Sequence, residues 1–178
     1  MANTTFSGPV RSKNGFINLG PGAVVALTAA TNLTVADHAG RLLTMDPVGT
    51  PTAITLPTIN ATADSDVAGP GSDPNNPNTI GTTFEILFVD EFTGTISTDG
   101  NDKFVGSVMV GVNDGAKKAF VPGATNDVVN LNGEAGTGNA TKGGLVGSRI
   151  KFTATADNQY MVEGLLIGDG TIVTPFSN

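Results

Sequence analysis

Thr82-Thr83-Phe84-Glu85-Ile86-Leu87-Phe88-Val89 and Arg149-Ile150-Lys151-Phe152-Thr153-Ala154-Thr155 decide the fold class of this chain. In both stretches the apolar residues recur at every second position. Phe84, Ile86 and Phe88 share one face of the first. Ile150, Phe152 and Ala154 share one face of the second, with Arg149, Lys151, Thr153 and Thr155 opposite. Side chains two apart lie together only in an extended strand, so both stretches read as strands with one buried face. Asp157-Asn158 is a turn pair that would fold the second back into residues 159–167.

The same pattern recurs on either side of these stretches, between turn residues. Residues 23–28, 32–35, 41–45 and 53–56 read as short strands, the last stopped by Pro57. Residues 93–98 are expected to return beside 82–89. Residues 104–112 carry Phe104, Val108, Val110 and Val112 on one side, and Asn113-Asp114-Gly115 then makes a hairpin to 117–121. Residues 127–131 and 171–175 complete about ten strands. No stretch repeats apolar residues at helical spacing for three turns. The expected fold is therefore all-β, a compact sandwich or barrel of jelly-roll-like form, with Phe84, Ile86, Phe88, Val108, Val110, Ile150, Phe152 and Val162 in its core. No internal repeat of fixed period is found, which disfavours solenoids and propellers.

Three regions resist this pattern. Residues 1–22 are punctuated by Gly8-Pro9, Asn14-Gly15 and Gly20-Pro21-Gly22, and are expected to form an extended N-terminal arm on a single β domain, residues 23–178. Residues 60–78, with Gly69-Pro70-Gly71 and Asp73-Pro74, read as a long loop. A second, Gly-rich loop is expected over residues 132–144, facing solvent or a neighbouring protomer.

Charge narrows the function. The chain carries a net −7, and charged residues are 14% of it. Between residues 42 and 102 there are nine acids and no Lys or Arg. Such a surface repels phosphate, so nucleic acid is not the expected partner. No apolar run approaches the length of a membrane span, and no secretory signal opens the chain, so synthesis in the cytoplasm is expected.

Catalytic patterns are thin. Cysteine is absent, and His38 is the single histidine. Asp37 precedes it, but adjacent strand residues point to opposite faces and orient each other poorly. Asp64-Ser65-Asp66 with Asp73 could offer oxygen ligands to calcium, yet the spacing fits no EF-hand loop. Asp99 with Asp102, or Asp90 with Glu91, could be a glycosidase pair, but aromatic residues for sugar stacking are few. The expectation is a non-enzymatic protein with no cofactor and no metal.

A resemblance points further. Thr5-Phe6-Ser7-Gly8-Pro9-Val10-Arg11-Ser12-Lys13-Asn14-Gly15-Phe16 resembles the opening of small structural proteins of tailed phages, particularly those of marine bacteria and cyanobacteria. Gly147-Ser148-Arg149-Ile150, Ala156-Asp157-Asn158-Gln159-Tyr160-Met161-Val162-Glu163-Gly164 and the closing Thr174-Pro175-Phe176 resemble the same group. Thr55-Leu56-Pro57 followed by Gly81-Thr82-Thr83-Phe84 is similar to a phrase of phage virion proteins. The resemblance implies a capsid decoration (cement) protein on the outer surface of the virion head, bound to the major capsid protein. It would be a homo-oligomer, most simply a trimer at a three-fold position. A tail or head-fibre component and a soluble carbohydrate-binding module are the alternatives. Phe6, Val10, Arg11, Lys13, Phe16 and Ile17 are the expected capsid-binding residues: the arm has no acid, and its apolar side chains have no local partner.

Overall fold

The computed structural model describes residues 23–45, 52–61, 79–112, 115–134 and 138–178. The arm over residues 1–22, most of the 60–78 loop and the turn residues 113–114 lie outside the described residues. The elements are β1 (Val24–Leu27), β2 (Thr31–Asn32), α1 (Val35–His38), β3 (Leu42–Met45), β4 (Thr52–Thr55), β5 (Thr83–Phe88) and β6 (Thr93–Ser97). They continue with β7 (Lys103–Val112), β8 (Lys117–Phe120), β9 (Val128–Asn132), β10 (Arg149–Ala156), β11 (Gln159–Gly168) and β12 (Phe176–Ser177). The described residues are all-β apart from α1, a single turn.

The strands form two mixed sheets in a sandwich-like arrangement. One has seven strands in the order β1-β3-β5-β10-β11-β7-β8, the other five in the order β12-β9-β6-β4-β2. Period-2 patterning sets which side of each strand is buried. β5 alternates buried and half-buried residues, and so does most of β10. Phe84, Ile86, Phe88, Val108, Val110, Ile150, Phe152 and Val162 are all buried in one core, as the alternation predicts. Leu43, Met45, Ile54, Ile96, Val129 and Leu131 join them from the N-terminal strands and the five-stranded sheet. Phe104 packs against Phe152 with ring centroids 5.4 Å apart, and Phe88 against Phe92 at 5.5 Å.

The pairing differs from a jelly roll, whose neighbours run antiparallel. Among the described strands five of the ten pairings are parallel: β1 with β3, β3 with β5, β2 with β4, β4 with β6, and β7 with β11. The first six strands alternate between the sheets, odd-numbered ones entering the seven-stranded sheet and even-numbered ones the five-stranded sheet. The chain thus winds around the core as a coil, and each strand lies parallel to the one a full turn earlier. Unequal turns hide this winding from a search for a fixed period: the step from β1 to β3 is under half that from β3 to β5.

Three local expectations are corrected. Residues 93–98 do not return beside β5; β6 crosses to the other sheet and pairs with β4 and β9. Residues 32–35 are not one strand, because Thr34 caps α1: its Oγ1 accepts from the Asp37 N–H at 3.2 Å. The last strand is β12 rather than residues 171–175, with Phe176 opposite Val129. By contrast, the hairpin of β7 and β8 forms as expected, with Val108 opposite Phe120. So does that of β10 and β11, turned by Asn158 at φ 56°.

Because the chain has no native cysteine, the parallel register can be tested by cross-linking. Thr44 and Leu87 are parallel neighbours on β3 and β5. The double variant Thr44→Cys/Leu87→Cys should form an intramolecular disulfide on mild oxidation, since paired strand positions lie within disulfide reach. A variant that stays reduced would contradict the winding. Phe152→Ala should cost about 3–5 kcal/mol in chemical denaturation, as expected for a ring lost from a closed core.

Candidate functional site

The sequence offered five groups of suggestive residues. His38 and Asp37 share the one-turn helix α1, and both serve its cap. The Thr34 N–H donates to His38 Nδ1 at 3.0 Å, and the Thr34 hydroxyl donates to Asp37 Oδ2 at 2.8 Å. Asp37 therefore holds the Thr34 cap rather than steering the imidazole. Asp90 accepts the N–H of Glu91 at 2.8 Å in the turn after β5. Asp64, Asp66 and Asp73 lie outside the described residues. Phe6, Val10, Arg11, Lys13, Phe16 and Ile17 also lie outside them.

Asp99 and Asp102 are brought together in the turn between β6 and β7. Asp99 Oδ1 accepts the N–H groups of Asn101 (2.9 Å) and Asp102 (3.1 Å), and its Oδ2 accepts the Thr58 hydroxyl at 2.9 Å. Burial pushes the Asp99 carboxyl up, but these donors outweigh it and hold the group below its ordinary value. Asp102 is fully buried. Its Oδ2 accepts the Ile59 N–H at 2.9 Å, while its Oδ1 has no hydrogen-bond partner. Burial raises the Asp102 carboxyl, the Ile59 N–H opposes this, and the charges of Asp99 and Asp157 add to the rise. The Tyr160 hydroxyl donates to the Pro57 carbonyl at 2.7 Å. Its ionisation is pushed far up by burial and by the nearby charges of Asp102 and Asp99.

These groups tie the 57–60 segment to the β6–β7 turn and to β11. Apart from Thr58–Asp99, each of these hydrogen bonds has a backbone partner, so the arrangement reads as a polar clasp rather than an acid–base pair. Among the described residues no group of three or more His, Asp or Glu side chains is placed to hold a metal ion.

The Gly-rich loop meets the expectation in part: Glu134, Gly138 and Asn139 are exposed, whereas its two ends turn inward. Gly133, Ala140, Gly143 and Gly144 are buried. A Cβ on Gly133 would lie 2.1 Å from the Gly144 carbonyl oxygen. The glycines are there because two backbone segments meet without room for side chains. This close approach was invisible in the sequence, where Gly density reads simply as loop.

The outward face of the seven-stranded sheet was not anticipated as a site. Glu85, Lys151 and Glu163 stand in lateral register on β5, β10 and β11. Lys151 Nζ donates to Glu163 Oε1 at 3.0 Å, and Arg149 pairs with Glu85. With Gly147, Gly164 and Leu165 they line a shallow depression of about 470 Å³. Leu165 and Met109 beside it are half exposed. The alternating charges of residues 149–155 were legible in the sequence; their partners on β5 and β11 were not.

Asp102 gives two expected outcomes. Asp102→Ala should cost about 1–3 kcal/mol, because the Ile59 N–H is left buried and unpaired. The comparison with Asp102→Asn should depend on pH. A folded-state pKa raised above 3.8 contributes stability that is present below that value and lost as pH rises through the folded pKa. Melting temperatures across the acid range should therefore shift against the native protein, relative to Asp102→Asn, as pH rises. A constant difference would mean that Asp102 ionises without penalty.

No family model, no curated protein and no solved structure matches this chain.

Proposed function

We propose that this protein is a virion structural protein: a capsid decoration protein that binds the outside of a phage head and braces the major capsid protein. The observation that carries the reading is how the body is built. Two sheets enclose one continuous apolar core, while among the described residues the outer face of the wider sheet stays broad and open, with Val24, Met109 and Leu165 half exposed on it. A rigid body with an open face suits a part that works by contact. The polar residues of the clasp are committed to holding turns, which suits a scaffold more than a catalyst.

In this reading the acid-free segment with Phe6, Val10, Arg11, Lys13, Phe16 and Ile17 attaches the body to the shell. Linked modest contacts across neighbouring capsid subunits raise the effective concentration of each. No nucleic acid, membrane or cofactor enters the mechanism. The protein is made in the host cytoplasm and ends on the outer capsid surface.

A tail or head-fibre component is the second reading, favoured by the parallel winding of β1 to β6, since coiled parallel strands suit elongated fibres. A carbohydrate-binding module gains nothing from the aromatic residues. Among the described residues every ring lies in the core except Phe120, which packs against it.

Binding to purified heads that lack decoration tests the proposal. The full chain should co-sediment with them, and deletion of residues 2–16 should abolish binding while leaving the melting temperature unchanged. Equal binding by the truncated protein would remove that segment from the mechanism. Binding to purified tails and not to heads would favour the fibre reading.

A further inference from the structure

The outward face of the seven-stranded sheet has a layout that only its pairing register reveals. Ala26, Thr44, Leu87, Arg149, Leu165, Met109 and Ala119 are successive lateral partners across all seven strands. A second row, two residues along each strand, runs Val24, Leu42, Glu85, Lys151, Glu163 and Ser107. All point away from the core, since their chain neighbours supply it. The first row is apolar except for Thr44 and Arg149. In the second, charge alternates over three adjacent strands.

We infer that this face is the contact between two copies of the chain, packed sheet to sheet about a two-fold axis that runs along the strands between β10 and β11. Such an axis sets β10 of one copy opposite β11 of the other, β5 opposite β7, and β3 opposite β8. Lys151 of each copy then faces Glu163 of the other, so the pair already present within each chain becomes an alternating square of four charges. Leu87 faces Met109, Thr44 faces Ala119, and Leu165 meets the apolar stem of Arg149. Every one of these juxtapositions is complementary, and each occurs twice, as an isologous contact requires.

Charge argues for a second copy rather than a different partner. The whole chain carries −7, so two copies repel each other in general. On this face Glu85 and Glu163 are balanced by Arg149 and Lys151, so copies can approach here without that penalty. The sheet edge is a poorer candidate: β8 carries Lys117 and Lys118 beside each other, a common way of discouraging edge pairing. Six facing strands at the usual spacing cover about 29 Å, and the two rows with a shorter third, Thr83, Thr153, Met161 and Val105, give about 500 Å². That is of the order of the roughly 800 Å² per partner in a stable interface. A face-to-face contact closes at two copies, where the resemblance implied three.

The inference stands apart from the decoration reading, because it is read from mass in solution and not from particle binding. Sedimentation equilibrium of the full chain should give twice the chain mass. Arg149→Glu/Lys151→Glu makes the four central charges of the face all acidic, and Glu85→Lys/Glu163→Lys makes them all basic. Each variant alone should sediment as a monomer, and an equimolar mixture should recover a dimer. Melting curves of the separate variants check that they fold, and Leu165→Glu is a single-site substitute that should also halve the mass. A monomeric native chain overturns the inference, and so does a dimer that survives in both charge variants. If the native chain is monomeric but becomes dimeric once residues 1–22 are removed, that segment covers the face instead, and the inference fails in the intact protein.

Discussion

The register of β10 between β5 and β11 governs the rest of the molecule. Phe152 lies opposite Phe84 on one side and Val162 on the other, and Val162 in turn lies opposite Gly106 of β7. This inward row joins the N-terminal coil to the C-terminal hairpin across four strands. It also dictates where a side chain is forbidden. A Cβ on Gly106 would lie 2.3 Å from the Val162 carbonyl oxygen, and the residue has φ 106°. A slip of one residue would turn Phe152 to the outside and bring Lys151 into the core.

The same register builds the outer surface. Strand residues alternate in direction, so burying Ile150 and Phe152 obliges Arg149 and Lys151 to face out. Burying Phe84 and Ile86 does the same to Glu85. The ion pairs Arg149–Glu85 and Lys151–Glu163 are partly exposed and contribute little to stability. Their interest lies in placing both signs of charge at the centre of a sheet on an otherwise acidic molecule. Core and contact surface are thus two sides of one pairing pattern, which links the stability of the body to the function proposed for it.

The polar clasp fills a different need. In a coiled winding the chain must cross between sheets, and each crossing leaves backbone groups outside the ladders. At residues 57–60 these groups are taken up by Asp102, Tyr160 and Thr79: the Asn60 N–H donates to Thr79 Oγ1 at 2.8 Å. Burying a carboxyl there carries a cost, seen in its raised ionisation, but leaving the Ile59 N–H unpaired would cost as well. Asp99 and Asp102, three residues apart in one turn, look equivalent in the sequence, yet their carboxyls shift in opposite directions.

The sequence alone determined that the chain is all-β, where most strands lie and which of their residues are buried. Alternation at every second position is local, and a strand with one greasy face has one way to bury it. The hairpins β7–β8 and β10–β11 were legible for the same reason, since a short turn leaves the two strands little choice of partner. Tertiary structure decided which distant strands are neighbours. Nothing in residues 93–98 says that they pair with 52–55 rather than 83–88, because either partner satisfies the alternation. The choice depends on how the whole chain closes its core. Parallel winding, the burial of Asp102, the backbone contact that Gly133 permits and the rows across the outer sheet face all follow from that closure, because each joins residues remote in the chain.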